Sequence, residues 1–271
     1  MIQPVKNNKA IAVFDSGIGG LTVVSSLMKR LPGENIIYFG DTARVPYGIK
    51  SVETINRYAA QITKFLTQKE VKLLIVACNT MAAVAFQTIK DLSGVPVLEV
   101  IDAGARNAVA QTRAKAIGVI GTPATINSNA YARAIRLLDS KVKIFSQACP
   151  LFVPLVEEGW INHPATKLIA REYLKPVLDE KIDTLVLGCT HYPLLKPLLQ
   201  EAVGGKIKLI DSAEAMADIA AQLIEKQKIS NDANAAPEYH FYVSDVPYRF
   251  QAIGEKFLGR KFDQVKLVSL Q

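Results

Sequence analysis

Leu73-Leu74-Ile75-Val76-Ala77-Cys78-Asn79-Thr80-Met81 is the stretch whose reading decides the fold. Five apolar residues in a row predict a strand buried on both faces, as inside a parallel sheet. The run stops at Cys78-Asn79-Thr80, and Met81 to Lys90 has the composition of a following helix. In an open α/β sheet, ligands bind at the carboxyl ends of such strands. A thiol placed there, close to a helix N-terminus, is expected to have its pKa lowered from about 8.5 toward neutrality and to act as a thiolate. The pattern returns: Thr184 to Gly188 is a short apolar strand that ends at Cys189-Thr190-His191. Two strands, each ending in cysteine with hydrogen-bonding followers, point to two thiols acting on one substrate.

Upstream, Ile11 to Phe14 reads as a strand and Asp15-Ser16-Gly17-Ile18-Gly19-Gly20 as a sharp turn. Leu21, Val24, Met28 and Leu31 then fall at helical spacing until Pro32-Gly33. A strand, a Gly-rich turn and a helix N-terminus make an expected anion cradle of backbone N–H groups. It is neither the dinucleotide pattern nor a P-loop. Asp15 would repel a phosphate, but it could bind an ammonium group or orient a thiol. After a strand at Ile36 to Phe39, Gly40 to Gly48 mixes charge, proline, aromatic and glycine. That is the composition of a binding loop, with Tyr47 and Gly48 at its end, or of a plain surface turn. An amphipathic helix carrying Ile55, Ala59, Ile62 and Leu66 leads into the central strand.

Downstream, Val97 to Ile101 reads as a strand, Asp102 to Arg113 as a helix, and Ala116 to Ile120 as a strand turning at Gly121-Thr122-Pro123. Aligning Ala12 to Ser16 with Gly118 to Thr122 sets Ser16 opposite Thr122. In each half a thiol turn follows the hydroxyl turn after about sixty residues. This is a hint of two similar α/β halves facing each other. Cys149 to Trp160 is apolar up to the pair Glu157-Glu158. Glu157 is either solvent-exposed or partly desolvated, the latter suiting acid–base support. Cys149 lacks the strand-end setting and reads as a small core residue. Lys206 to Ile210 predicts a strand, Met216 to Ile224 an amphipathic helix, Lys226 to Pro237 a polar loop. Tyr239 to Val243 and Val265 to Ser269 predict late strands closing a sheet. Alternation of strands and helices makes the fold class α/β with largely parallel strands.

The 271 residues allow one large domain or two small ones, and 49% hydrophobic with 21% charged content describes an ordinary globule with ample core. The net charge of +7 is spread along the chain without a basic run. A solvated surface, or a field drawing in a small anion, is favoured over nucleic acid. Met1 to Lys9 has no apolar core of a signal peptide, and no apolar run is long enough to span a bilayer. Three cysteines are too few for a disulfide framework, so a cytoplasmic protein with reduced thiols is expected.

Several chemistries suit two cysteines and one nearby histidine. A structural zinc site wants four ligands at close spacing, and only His191 stands near a cysteine. A redox pair needs sulfurs within bonding distance, and no CxxC exists. A Cys–His hydrolase would leave one cysteine idle. Two-base proton transfer uses both, one thiolate taking a proton from carbon while the opposite thiol gives one to the other face. Two buried core cysteines are the remaining reading.

Asp15-Ser16-Gly17-Ile18-Gly19-Gly20, Arg44-Val45-Pro46-Tyr47-Gly48, Ala77-Cys78-Asn79-Thr80, Glu157-Glu158-Gly159-Trp160 and Gly188-Cys189-Thr190-His191-Tyr192-Pro193-Leu194-Leu195 together resemble glutamate racemase, a cofactor-independent amino-acid racemase family of bacteria. Met81 departs from the small Ala expected there. The resemblance implies interconversion of L- and D-glutamate, supplying D-glutamate for peptidoglycan, with no cofactor and no metal. It implies that Cys78 deprotonates D-glutamate and Cys189 L-glutamate, with Asp15 assisting Cys78, and His191 supported by Glu157 assisting Cys189. Asp15, Ser16, Tyr47, Gly48, Asn79, Thr80, Thr190 and His191 match its substrate-contact motifs, and the half-repeat adds Thr122. A homodimer is expected. The implied fold is two α/β domains with the site between them, residues 1–98 plus 209–271 in one and 99–208 in the other. No activation by a cell-wall precursor is expected, from the short segment before Asp15. The rivals are a relative acting on aspartate or a hydantoin, and a non-catalytic two-lobed binding protein.

Overall fold

A computed structural model describes residues 8–232, 235–261 and 264–270. The apolar runs become parallel strands. β1 (Ala10–Asp15), β2 (Ile36–Gly40) and β3 (Val71–Val76) are buried along their whole length, as are β5 (Ala116–Gly121) and β7 (Thr184–Gly188). Shorter or more exposed strands sit outside them: β4 (Val97–Glu99), β6 (Lys143–Ala148), β8 (Lys208–Ile210), β9 (Tyr239–Val243) and β10 (Val265–Leu267). Two sheets result, one ordered β10-β9-β2-β1-β3-β4 and the other β6-β5-β7-β8. Every pairing is parallel.

The two sheets share a core order. In each, the first strand lies between the second and the third, with the fourth outside the third. The order in which strands are added reverses between the first and third strands of such a sheet, and a crevice opens at their carboxyl ends. Those ends carry Asp15-Ser16 and Cys78 in one sheet, Thr122 and Cys189 in the other. The hint of two similar halves is thus met in strand order.

The helices cover the sheets: α1 (Leu21–Arg30), α2 (Val52–Thr67), α3 (Asn79–Ser93), α4 (Val100–Gln111), α5 (Pro123–Asn127), α6 (Ala130–Leu138), α7 (Phe152–Glu157), α8 (Pro164–Leu178), α9 (Lys196–Val203), α10 (Ser212–Gln227) and α11 (Pro247–Leu258). The strand expected over Val97 to Ile101 stops at Glu99. The Glu99 carboxylate accepts from the N–H groups of Ile101 and Asp102 at 2.5 and 2.7 Å and starts α4 at once. A side-chain cap of this kind satisfies donors that would otherwise be orphaned. The helix accordingly runs over 100–111, not 102–113. α4 and α10 pack on each other, α4 also against α6 and β7 and α10 also against α1, so the two helices bind the halves together.

Two further expectations shorten. The strand at Lys206 begins at Lys208, and the last strand ends at Leu267, two residues before Ser269. The polar stretch from Lys226 to Pro237 is loop after Gln227, and its residues 233 and 234 lie outside the described residues, as do residues 1–7 of the N-terminal stretch. Lys72 pins this loop from below, donating to Ile229 O and Asn231 Oδ1 at 2.7 Å each while paired with Glu34. Among the described residues no helix is long and apolar enough to cross a membrane.

Candidate active site

A cavity of about 340 Å³ lies between the two sheet crevices, within the size range of small-molecule sites. Ser16, Tyr47, Gly48, Cys78, Asn79 and Thr80 line it from one side, Thr122, Glu157, Cys189, Thr190 and His191 from the other. Of the candidates read from sequence, Asp15 alone does not line it. Pro150, Val153 and Pro154 add an apolar wall that the sequence reading passed over.

Cys78 follows β3 and caps α3, donating through its thiol to Ser16 Oγ at 3.5 Å. The expected lowering of its pKa is not what the structure gives. Burial pushes the thiol up to about 12, and the nearby Asp15 carboxylate adds to it, outweighing the contacts with Ser16 and the Met81 N–H. A helix terminus contributes part of a charge, whereas removing a thiolate from water is costlier. Met81 is fully buried within α3 and fills core behind the thiol.

Asp15 is the second correction. The Gly-rich turn is an anion cradle, but the anion in it is Asp15 itself: Oδ2 accepts from Gly17 N at 3.2 Å and Gly20 N at 3.1 Å. Burial raises its pKa, opposed by His191 and by the N–H groups of Gly20, Gly17 and Ser16. Its other oxygen faces Thr190 Oγ1 at 3.5 Å, so it reaches the cavity through Thr190 and through its charge.

On the opposite wall, Cys189 Sγ stands 3.9 Å from His191 Nδ1, and His191 Nε2 stands 3.0 Å from Glu157 Oε1. Glu157 ends α7 half-buried rather than fully exposed, its side chain 32% accessible. Burial works against a charged His191, but the Cys189 sulfur and the Glu157 carboxylate, one on each nitrogen, outweigh it and carry the pKa from 6.5 to about 10. These partners favour the charged form of His191, and its Nδ1 faces the Cys189 sulfur, the position for exchanging a proton with it. A basic group with a raised folded pKa contributes stability that is complete below its unfolded value and lost as pH climbs through the folded one. Wild type is expected to lose Tm between about pH 7 and about pH 10, and His191→Asn to lack that fall. Thermal melts across that range check it, and the same alkaline slope in both proteins would contradict the assignment.

The loop at 41–48 closes the cavity. Asp41 is completely buried and accepts from Arg44 Nε at 3.0 Å, Ser244 Oγ at 2.8 Å and the Tyr47 hydroxyl. Arg44 also lies over the Tyr58 ring at 4.1 Å. Tyr47 was a candidate substrate contact, yet its hydroxyl is committed to Asp41. The residue as a whole still lines the cavity. Gly48 abuts the other half so closely that a Cβ there would stand 2.8 Å from Thr122 Cβ. Thr80, Thr122 and Thr125 form a ring of hydroxyls 3.0–3.4 Å apart across the two halves. Thr125, absent from the sequence reading, had a faint signal in its spacing from Thr122 at the head of a short helix. Cys149 is fully buried away from the cavity, as its setting implied.

Among the described residues no cluster of three or more His, Cys, Asp or Glu side chains could hold a metal ion. Two thiols contributed by the two halves, one beside a hydroxyl and one beside an imidazole, can take a proton from a carbon between them and return one from the other side.

Comparison with known proteins gives the family. The family model described as Asp/Glu/Hydantoin racemase matches residues 21–220. The glutamate racemase of Syntrophus aciditrophicus is 69% identical over 260 residues, 96% of each chain. The crystal structure of glutamate racemase from Francisella tularensis in complex with D-glutamate superposes with a TM-score of 0.92 at 44% identity, covering 98% of this chain and 99% of that one. That of a Bacillus anthracis glutamate racemase isoform gives 0.94 at 39% identity, covering 97% and 98%. On sequence, fold and site together, the chain belongs to the Asp/Glu/hydantoin racemase family of isomerases.

Proposed function

We propose that this protein interconverts L-glutamate and D-glutamate by direct proton transfer at the α-carbon, with Cys78 and Cys189 as the two bases. The observation that carries the reading is that both cysteines, one from the end of a strand in each sheet, line one cavity. The names of relatives matching over nearly the full chain supply the substrate. In this reading residues 1–98 with 209–271 form one lobe and 99–208 the other, except that Glu99 stays with β4 in the first sheet and Leu209 and Ile210 with β8 in the second.

The difficulty of the reaction lies in the acidity of an α-C–H bond, and electrostatic stabilisation of the carbanion is the usual remedy. The Asn79 amide and the hydroxyls of Thr80 and Thr122 are donors available to substrate carboxylates. Asp15 places negative charge behind Cys78, suited to an incoming ammonium group, and that ammonium would offset the burial that holds the Cys78 thiol up. With L-glutamate bound, Cys189 takes the α-proton while the Cys78 thiol gives its own to the opposite face. With D-glutamate the roles exchange. His191, held by Glu157, exchanges a proton with Cys189 and resets that side. Supply of D-glutamate to peptidoglycan, a cytoplasmic location and a homodimer belong to the same proposal.

The test is a polarimetric assay of the purified protein on each enantiomer, without added cofactor. Either one should decay to the same racemic end point. Turnover of aspartate with none of glutamate would move the substrate assignment within the family.

A further inference from the structure

Asn79, the first residue of α3, is 3% exposed and lines the cavity. Its amide oxygen accepts a 2.7 Å hydrogen bond from the Tyr131 hydroxyl. Its Nδ2 has no hydrogen-bond partner among the described residues. A buried amide donor left without an acceptor is costly, and in a binding cavity the missing acceptor belongs to the ligand.

Tyr131 comes from α6, in the half that carries Cys189, and is itself 3% exposed without lining the cavity. Its ring lies on Gly188, the residue before Cys189, where a Cβ would stand 3.1 Å from the ring carbon Cε2. The Ser212 hydroxyl, at the start of α10, faces the phenol oxygen. The phenol hydroxyl donates to Asn79 Oδ1. The two ends of an asparagine amide are nearly identical in shape, so hydrogen bonds decide which way it points. Here the oxygen is tied by Tyr131, and only the N–H₂ end is left for the cavity.

We infer that Tyr131 is a positioning residue for the reaction: it fixes the Asn79 amide with its donors toward a substrate carboxylate and ties that donor to the Cys189 strand end. It touches no reacting atom. A flipped amide would set an oxygen against the carboxylate and replace attraction with repulsion. This inference rests on the proposed carboxylate-bearing substrate.

Tyr131→Phe keeps the ring on Gly188 and removes only the hydroxyl. It should raise KM for both glutamate enantiomers about tenfold, with kcat changed by less than about threefold. In an Asn79→Ala background the same substitution should change KM by less than about twofold, because no amide remains to be oriented. Equal effects in both backgrounds would mean that Tyr131 acts through packing alone and would overturn the inference. A second measurement does not need turnover: the side-chain ¹⁵N signals of Asn79 in the ligand-free protein should shift in Tyr131→Phe. An unshifted pair would overturn the inference whatever the activity. A shifted pair with a wild type inactive on glutamate would support the orientation and count against the glutamate reading alone.

Discussion

Cys78→Ser and Cys189→Ser are each expected to lower kcat for racemisation by at least about 10³-fold in both directions. The reason is stereochemical as much as acid–base. Inversion needs one group to remove a proton and another to deliver one from the opposite face, and in the proposed mechanism those groups are the two cysteines that line the cavity. A serine hydroxyl is nearly isosteric but too weak an acid to ionise at working pH, so neither Cys78 beside Ser16 nor Cys189 beside His191 can be replaced by its neighbour. Cys149→Ser is the matched control. That thiol faces Gln147 O at 3.7 Å in the core, away from the cavity, and the substitution should leave kcat within about twofold while lowering Tm slightly. Initial rates for the three variants, with melts to confirm folding, decide the matter. Near-normal turnover in either of the first two would remove that cysteine from the mechanism.

Gly19→Ala is expected to cost about 100-fold in kcat/KM. A Cβ at this position would stand 2.3 Å from Thr190 Oγ1 and 2.7 Å from His191 Nδ1, distances that no real Cβ contact tolerates. The turn after β1 therefore presses bare backbone against the His191 turn of the other half. One methyl group must push Thr190 off Asp15, His191 off Cys189, or the two turns apart. Displacement of catalytic groups by about an ångström is enough for a loss of this size. Gly33→Ala, where a Cβ meets nothing within 4 Å, serves as the comparison and should stay near wild type. Kinetics of both variants test the point: an active Gly19→Ala enzyme would mean that the close approach does not position the site.

The sequence reached far into this site, because burial on both faces and an abrupt polar stop are local properties of a strand. LLIVACNT and LVLGCTH announced two strand ends with thiols, and the parallel order of the sheets follows from such runs. What stayed hidden depends on partners distant in the chain. β6 is partly exposed along its length, so its residues carry no unbroken apolar run to read. Tyr131 looks like any aromatic on an amphipathic helix until α6 is placed against Asn79. That the Tyr47 hydroxyl is held by Asp41 is visible only once the loop is folded. Asp15 occupying its own glycine cradle, and burial prevailing over the helix terminus at Cys78, are balances of magnitude that residue order alone does not supply.

The central claim is that a proton leaves and re-enters the α-carbon between two thiols. Solvent deuterium incorporation at Cα of L- and of D-glutamate, followed by mass spectrometry and NMR in D₂O with no added cofactor, tests it most directly. The account predicts that product of inverted configuration carries deuterium at Cα from the earliest turnover, starting from either enantiomer. Inversion with the original α-hydrogen retained, or no exchange into either enantiomer, would contradict it.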